Sequence, residues 1–360
     1  MELRVDVTPL RALGFDAWFE ARAGELGLEG CGFARVVAVD RGAWLIRDGS
    51  GEIPAELSGR LAFQTEGPAD LPCVGDWVTV SLYNDGAAAL IHRVFPRRTL
   101  LRRKAPGGAG VQLIAANIDA AFIVQSCHFD FNPARLDRYL VMAAQGQVEP
   151  VVVLTKTDLI DPQELEHKCA LAGAATRARV IALSAHTGAG FADFQQALAP
   201  GRTYCLLGSS GVGKTTLLNR LLGRETFGTS AVSATGEGTH TTTRRQLVML
   251  GQGAMLVDTP GMRELGMAGA GEGVATGFDE VAALAEHCRY ADCRHENEPG
   301  CAVRAALASG ALRADRYASY LKLRKEAEFQ ELSALDKRRR DKAFGRLVKE
   351  VKERGPRRRG

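Results

Sequence analysis

Long uncharged stretches are absent from this sequence. No run of about 18 uncharged apolar residues occurs in it, and a transmembrane helix needs at least that length. The first residues, MELRVDVTPLRALGF, also lack the basic start and apolar core of a secretory signal. Both absences lead us to expect a cytoplasmic protein with no membrane partner.

A large net charge is absent too, but the charge is unevenly distributed. The net charge is +4 over 360 residues. Residues 337–360 contain twelve Lys or Arg and three acids, a net +9, which leaves about −5 for the rest of the chain. A basic end on a mildly acidic body indicates contact with a polyanion, most often nucleic acid. The alternative is a solvated helix with a disordered end.

The cysteines lack the spacing of a disulfide framework. Three of the eight fall within fourteen residues and the others are scattered. Uneven spacing in a chain without a signal favours a local metal site over disulfides. We interpret the scattered cysteines as small buried apolar residues. They are Cys31, Cys73, Cys127, Cys169 and Cys205.

Five short β-rich runs occupy residues 33–95, separated by turn sequences such as DRG, DGSG and NDG. This spacing indicates a small antiparallel barrel. We predict an OB-fold over residues 31–97, after an amino-terminal extension of residues 1–30. OB-folds often bind RNA through a sheet face and its loops. A structural β-domain without a ligand is the alternative.

The sequence that follows, RRTLLRRKAPGGAG, is basic and then rich in Pro and Gly. This composition predicts a basic linker over residues 98–111. Its cations either touch phosphates or are merely solvated.

Buried strands then alternate with amphipathic helices over residues 112–275. The alternation predicts an α/β domain with a mostly parallel sheet and helices on both faces. Ligands of such sheets collect at the carboxyl ends of the strands. Four short motifs lie at predicted strand ends: TKTD (155–158), SA (184–185), GSSGVGKT (208–215) and DTPG (258–261).

GSSGVGKT matches the phosphate-binding pattern G-x-x-x-x-G-K-[ST]. Its glycines let backbone N–H groups curve around a phosphate, Lys214 reaches the outer phosphates, and the Thr215 hydroxyl ligates Mg²⁺. A chance Gly-rich turn is the alternative, and the strand before it and helix after it disfavour that. The predicted phosphate site comprises Gly208, Ser209, Ser210, Gly211, Val212, Gly213, Lys214, Thr215 and Thr216, with Gly261 from DTPG.

DTPG supplies a second phosphate element. Asp258 would hold Mg²⁺ through water, and the Gly261 N–H would meet the γ-phosphate. An ordinary strand-end turn is the alternative. A phosphate loop in the same sheet favours the functional interpretation.

TKTD would select the base. The Asp158 carboxylate can accept both the N1–H and the 2-amino group of guanine, whereas adenine would leave it unpaired. The Lys156 stem can lie along the purine face, and a backbone N–H of SA would bind guanine O6. A strand end followed by a polar helix start is the alternative for TKTD. The predicted guanine site comprises Thr155, Lys156, Asp158, Leu159, Ser184 and Ala185.

These motifs all have places in a Ras-like GTPase sheet, but here the guanine motifs precede the phosphate motifs. Because all of them lie at strand ends, the sheet is retained when the chain is cut and rejoined elsewhere, and close termini make that possible. We therefore predict a circularly permuted P-loop GTPase that binds GTP or GDP with Mg²⁺.

Residues 276–360 are predicted to form a helical zinc-binding domain with a basic carboxyl-terminal tail. Its cluster is Cys288-x4-Cys293-x-His295-x5-Cys301. Three thiols and one imidazole suit tetrahedral Zn²⁺ in a closed, structural site. His287 is an alternative ligand, strained by its neighbour Cys288, and an iron–sulfur cluster more often uses four cysteines. Reduced cysteines in a helical domain are the remaining alternative.

Over most of its length the chain resembles a known family, the ribosome small-subunit-dependent GTPase A proteins (RsgA, also called YjeQ). The motifs that carry the resemblance are QLIAANID, TKTD, GSSGVGKTTLLN, THTTT, DTPGMRE and CRYADCRHENEPGC. The resemblance implies a GTPase that binds the small (30S) ribosomal subunit and its rRNA late in maturation and is stimulated by it. We expect a monomer. Two positions depart from the family pattern: Thr155, where Asn is commoner, and Thr239, where a basic residue usually precedes His240.

Many Ras-like enzymes orient the attacking water with a Gln just after the DxxG glycine. Met262 has that position here, which predicts slow intrinsic turnover unless another group is supplied. His240 is the candidate catalytic residue, because residues 233–245 lie where a switch loop belongs. Thr242 is the candidate Mg²⁺ ligand from this segment. The hypothesis is that the subunit directs His240 at the water; alternatively, His240 only packs or binds RNA.

The function we predict is a GTP hydrolase that assists or checks late maturation of the small subunit. The barrel, the zinc domain and the basic tail would be RNA-binding arms whose affinity depends on the bound nucleotide. One alternative is a GTP-dependent RNA-modification factor, although the sequence offers no separate catalytic residues for it. Another is a GTP-dependent RNA-binding module with little intrinsic hydrolysis.

Overall fold

A computed structural model describes residues 7–26, 30–40, 42–105, 110–223, 245–258, 274 and 277–331. The first described elements are a 3₁₀ helix, Thr8–Leu13, and helix α1, Ala17–Leu26. Phe15 and Phe19 from this segment pack against Trp77. Across the described ranges, no helix combines the length and the apolar character that crossing a membrane requires.

Five strands form the predicted barrel, with the short helix α2 (Gly59–Gln64) between the third and fourth. The ring closes because β1 pairs with both β2 and β4, while β3 pairs with β5 in parallel and the other pairings are antiparallel. This order confirms the OB-fold. The strands are β1 (Gly32–Asp40), β2 (Ala43–Arg47), β3 (Glu52–Leu57), β4 (Trp77–Tyr83) and β5 (Ala88–Val94).

The predicted linker instead contains a β-hairpin. Strand β6 (Leu100–Lys104) pairs antiparallel with β7 (Val111–Ala116). Leu101 is fully buried, and the Leu100 N–H donates to the Gly146 carbonyl. The basic composition concealed this strand, because two leucines are followed by three cations, although buried and half-buried residues alternate along it. The prediction of a linker through residues 98–111 is therefore wrong for its first half.

The α/β domain has the predicted sheet, in the order β10-β9-β8-β11-β13-β12. All its pairings are parallel except that of β12 with β13. All seven residues of β8 are buried, as expected for a strand covered on both faces. The strands are β8 (Ala120–Ser126), β9 (Glu149–Thr155), β10 (Val180–Ala182), β11 (Thr203–Leu207), β12 (Arg245–Met249) and β13 (Met255–Asp258).

Within the described ranges, four helices cover this sheet. Side chains cap two of the amino termini: Asn132 accepts from the Arg135 N–H, and Asp161 accepts from the Glu164 N–H. The helices are α3 (Pro133–Gln145), α4 (Pro162–Ala175), α5 (Phe191–Gln196) and α6 (Lys214–Leu222).

The barrel and the α/β domain share one continuous sheet, which no local sequence pattern indicates. Strand β1 pairs antiparallel with β12, placing Ala38 opposite Gln246. Arg35 of β1 is 1% exposed and donates to the carbonyls of Leu13, Gly75 and Asn117. Burial lowers its pKa to about 10. One buried guanidinium thus joins the chain start, the barrel and the α/β domain.

The carboxyl-terminal helices pack on α3. Helices α7 (Asp279–Ala285), α8 (Ala302–Ser309) and α9 (Ala314–Glu331) form a small core that includes Val141 of α3. Arg316 of α9 is 8% exposed and pairs with Asp137 of α3 and Glu280 of α7. These helices and the Cys/His cluster are called the zinc module below. The zinc module is held on α3 mainly by contacts between side chains.

Candidate nucleotide site and zinc site

The phosphate motif connects β11 to α6, as a strand–loop–helix phosphate site requires. Gly208 follows the buried strand at φ +157°, and a Cβ there would lie 2.3 Å from the Val124 carbonyl oxygen. Only glycine permits that approach of the loop to β8. Helix α6 begins at Lys214, so its first N–H groups are directed at the mouth of the loop.

Lys214 is 7% exposed, and its ammonium donates to the carbonyls of Gly208 at 2.8 Å and Ser209 at 2.5 Å. Burial lowers its pKa to about 8, while the charges of Asp258 and Asp130 oppose that shift. A phosphate oxygen would be a better acceptor for this buried cation than two neutral carbonyls. The loop therefore presents a cation suited to a polyphosphate.

Asp258 ends β13 and is 6% exposed. Strand β13 lies parallel to β11, so its carboxyl end emerges beside the phosphate loop. Thr215 lies in the first turn of α6, which follows β11 through the phosphate loop. Hydroxyl and carboxylate oxygens at adjacent strand ends fit the hard oxygen donors that Mg²⁺ requires.

Thr155 links the guanine motif to the phosphate loop. Its hydroxyl lies 2.6 Å from the Val212 carbonyl of the loop and 3.2 Å from the Gln125 carbonyl of β8. The residue is 2% exposed. A threonine hydroxyl thus supplies one bond that holds the two motifs together, although the family usually has an asparagine at this position.

The remaining guanine residues lie around the end of β10. Ser184 is fully buried, and its hydroxyl accepts from the His186 and Thr187 N–H groups. The pKa of Asp158 is lowered, mainly by a hydrogen bond from Ser184, which keeps this carboxylate ionised and able to accept. The adjoining Ala185 carbonyl is bound by Arg220 of α6. The SA motif is therefore bonded both to Asp158 of TKTD and to Arg220 of α6, the helix that follows the phosphate loop.

Lys156 has a left-handed backbone conformation (φ +58°), which a sharp strand-end turn requires. Burial lowers the pKa of its ammonium, which lies 4.9 Å from the centre of the Phe129 ring. Phe129 and Leu159, the latter from the predicted guanine site, are 54% and 51% exposed. Sequence reasoning missed Phe129, because no motif includes the segment between β8 and α3.

Four predicted residues lie outside the described ranges. They are the candidate catalytic His240, the candidate Mg²⁺ ligand Thr242, Met262, and Gly261 of the phosphate site. Their roles stay predictions.

The four predicted zinc ligands lie together, with all their ligand atoms within 4.8 Å of one another. The His295 Nδ1 atom is 3.5 Å from both Cys288 Sγ and Cys301 Sγ, and these sulfurs are 3.9 Å apart. A tetrahedral Zn²⁺ with ordinary bond lengths requires about 3.6 Å between nitrogen and sulfur and about 3.8 Å between sulfurs. The residues therefore fit this ion, and the group does not include His287.

Helices fix the loop that carries these ligands. Burial raises the pKa of Cys288, but N–H groups of Ala302 and Val303 at the start of α8 bring it below its usual value overall. The Tyr317 hydroxyl of α9 donates to the His295 carbonyl at 2.6 Å. Such support around a ligand set is typical of a structural metal site.

Comparison with known proteins gives a consistent result. A family model described as "RsgA GTPase" matches residues 94–268. A protein from Opitutus terrae named "Small ribosomal subunit biogenesis GTPase RsgA" is 44% identical over 331 residues, which are 89% of this chain and 90% of that protein.

Two solved structures share the fold. The crystal structure of YjeQ from Thermotoga maritima has a TM-score of 0.64 at 27% identity, covering 82% of this chain and 98% of that one. The structure of YloQ, described as a circularly permuted GTPase, has a TM-score of 0.60 at 23% identity, covering 84% and 97%. In this chain, β9 with the predicted guanine motif precedes β11 with the phosphate motif, which is the permuted order expected from the sequence.

Proposed function

Because the chain belongs to the RsgA GTPase family, we propose that it binds the small ribosomal subunit during biogenesis and that the subunit stimulates its GTP hydrolysis. The family membership establishes a GTP-hydrolysing enzyme of ribosome biogenesis. The observation that best supports a site for this activity is the bond between the Thr155 hydroxyl and the Val212 carbonyl. It joins the guanine motif to the phosphate motif despite their reversed order.

In this proposal each motif contacts one part of GTP. Asp158 accepts from the guanine edge, with Lys156 and Leu159 along the base and the backbone of SA at O6. Lys214 and the loop N–H groups bind the phosphates. Thr215 and Asp258 hold Mg²⁺, which neutralises charge on the phosphates when bound. Loss of GTP binding on Lys214→Ala is expected, and unchanged binding would contradict the phosphate-loop assignment.

We further propose that His240 orients the attacking water once the subunit is bound, with Thr242 as a ligand of Mg²⁺. The support is chemical, because Met262 offers no hydrogen bond to water at the usual glutamine position. The test is GTP hydrolysis by His240→Ala with and without small subunits. Loss of stimulation is expected, and full stimulation would contradict the role of His240.

The barrel, the zinc module and residues 337–360 are the proposed rRNA-binding arms of a cytoplasmic monomer. The test is co-sedimentation with small subunits under a GTP analogue and under GDP, at two salt concentrations. Binding is expected to weaken steeply with salt, since phosphate contacts release counterions, and to differ between nucleotides. Nucleotide-dependent binding without any stimulated turnover would instead favour a GTP-dependent RNA-binding module.

A further inference from the structure

Neither the segment between β8 and α3 nor the start of α3 belongs to a predicted motif, yet a residue at the start of α3 contacts the phosphate loop. Arg135 lies in the first turn of α3. Its Nη1 donates to the Ser209 hydroxyl and, at 2.6 Å, to the Asp130 carboxylate. Arg135 and Ser209 are 74 positions apart in the chain. The contact therefore exists only because the sheet places β8 beside β11.

The position of Arg135 is fixed by the strand before it. Gln125 of β8 is 1% exposed and makes two hydrogen bonds to the backbone of Asn132, one at 2.9 Å and one at 3.2 Å. The Asn132 side chain in turn accepts from the Arg135 N–H at 3.0 Å. The buried Gln125 amide thus fixes the start of α3, and with it the backbone from which the Arg135 side chain extends.

Asp130 orients the guanidinium from the other side. Its Oδ1 accepts from Arg135, and its buried Oδ2 has no hydrogen-bond partner within the part of the chain that the structure describes. Burial raises the pKa of this carboxyl group, and the charges of Arg135, Lys214 and Lys156 oppose that shift. A carboxylate at this place needs Arg135, because an unpaired negative charge would disfavour a nearby polyphosphate.

Ser209 connects this pair to the phosphate-binding lysine. Its hydroxyl accepts from Arg135, while its carbonyl accepts from the Lys214 ammonium at 2.5 Å. Arg135 and Lys214 therefore both help to orient Ser209. Moving Ser209 would alter both the curvature of the loop and the place of the lysine.

We propose that Arg135 is a positioning residue for the phosphate loop, oriented by Asp130 and acting through the Ser209 hydroxyl without touching the nucleotide. This inference rests on the phosphate-loop assignment in the proposed function. The loop binds phosphates that GTP and GDP share, so both nucleotides should depend on Arg135. The chemical step should depend on it much less.

The experiment measures GDP affinity with a fluorescent GDP analogue, together with kcat and KM for GTP. Arg135→Ala should raise the Kd for GDP and the KM for GTP by a similar factor, about tenfold, the range of one hydrogen bond to a charged group. The kcat should change much less. Arg135→Lys should restore part of the loss, and Ser209→Ala, which leaves the Asp130–Arg135 pair intact, should reproduce part of it.

Arg138→Ala is the matched control, because this arginine of the same helix pairs with Glu326 of the zinc module. It should leave GDP affinity unchanged. In the double variant of Arg135→Ala with Ser209→Ala, the loss should be no larger than in Arg135→Ala alone, since both remove one contact. Unchanged affinity in Arg135→Ala, additive losses, or an equal loss in Arg138→Ala would overturn the inference.

Lys214→Ala separates this inference from its premise. Binding retained by Lys214→Ala would refute the phosphate-loop assignment itself. Binding lost in Lys214→Ala but retained in Arg135→Ala would refute only the positioning role of Arg135.

Discussion

The barrel and the zinc module are attached to the α/β domain by different forces. The barrel continues the central sheet through the β1–β12 pairing and is fixed by Arg35, whose guanidinium donates to buried carbonyls. The zinc module lies on α3, where ion pairs of Arg316 and Glu326 supplement a small apolar contact. The barrel cannot shift without breaking backbone hydrogen bonds, whereas the zinc module can move by exchanging side-chain partners.

The two attachments also lead to different parts of the nucleotide site. Strand β12 follows residues 233–244, most of the predicted switch segment, so the barrel is joined directly to its end. Helix α3 carries Arg135 at the phosphate loop and, one turn later, Arg138 at the zinc module. We therefore expect the barrel to be a rigid arm and the zinc module to be an adjustable one.

Metal removal should unfold the zinc module and leave the rest folded. Cys293→Ser, or treatment with a strong chelator, removes a binding free energy of roughly 10 kcal/mol that folding of a small metal module requires. Residues 278–331 should become sensitive to protease, while GDP binding persists. Elemental analysis should find one zinc per wild-type chain. Loss of GDP binding together with the zinc would show that the module is not a separate arm.

Arg35→Met should destabilise the barrel and the α/β domain together. The substitution leaves the carbonyls of Leu13, Gly75 and Asn117 without this donor, at a cost of about 4 kcal/mol in total. Urea unfolding should show one cooperative transition at lower denaturant. The control is Arg47→Met on β2, where the pair with Glu52 is exposed, and its effect should stay below about 0.5 kcal/mol. Separate unfolding transitions for the barrel and the α/β domain would contradict their rigid attachment through β1–β12 and Arg35.

Arg316→Ala should loosen only the zinc module. It leaves Asp137 buried without its partner, at a cost of about 3 kcal/mol. Hydrogen exchange should speed up in α8 and α9 but not in β1 or β12. The double variant Asp137→Leu with Arg316→Met should recover most of the stability, because an apolar pair of similar volume replaces the ions. Faster exchange in β1 would contradict the separation of the two joints.

Raising the salt concentration should have the smallest effect on stability, and it should weaken only the contact between the zinc module and α3. The side chains of Arg138 and Glu326 are 20% and 34% exposed, so ions screen their attraction by less than about 1 kcal/mol. Raising salt should therefore speed exchange in α9 slightly and leave the β1–β12 amides unchanged. An equal increase of hydrogen exchange in α9 and in the β1–β12 amides would contradict the difference between the two attachments.

Local signals predicted much of this fold from sequence. Turn sequences and alternation located the barrel strands, and buried strands alternating with amphipathic helices predicted the α/β domain. The β1–β12 pairing was not predicted, because strands so far apart carry no local signal of their register. The hairpin at Leu100–Lys104 was missed because arginines masked a half-buried strand.

The candidate site was predictable wherever chemistry lies in a short motif. The phosphate, guanine and zinc residues within the described ranges each come together as groups. Arg135 was not recognised, because its contact with Ser209 depends on the order of strands in the sheet. The bond from Thr155 to Val212 could likewise be seen only once both strands were placed.

The most direct test of the permuted guanine site is Asp158→Asn, assayed with GTP and with xanthosine triphosphate in the presence of small subunits. Xanthine has an oxygen where guanine has its 2-amino group, so an Asn amide can donate to it. We expect the variant to lose GTP hydrolysis by at least about 100-fold, to gain hydrolysis of xanthosine triphosphate, and still to be stimulated by the subunit. Wild-type GTP hydrolysis by Asp158→Asn would contradict the claim that TKTD and GSSGVGKT form one site.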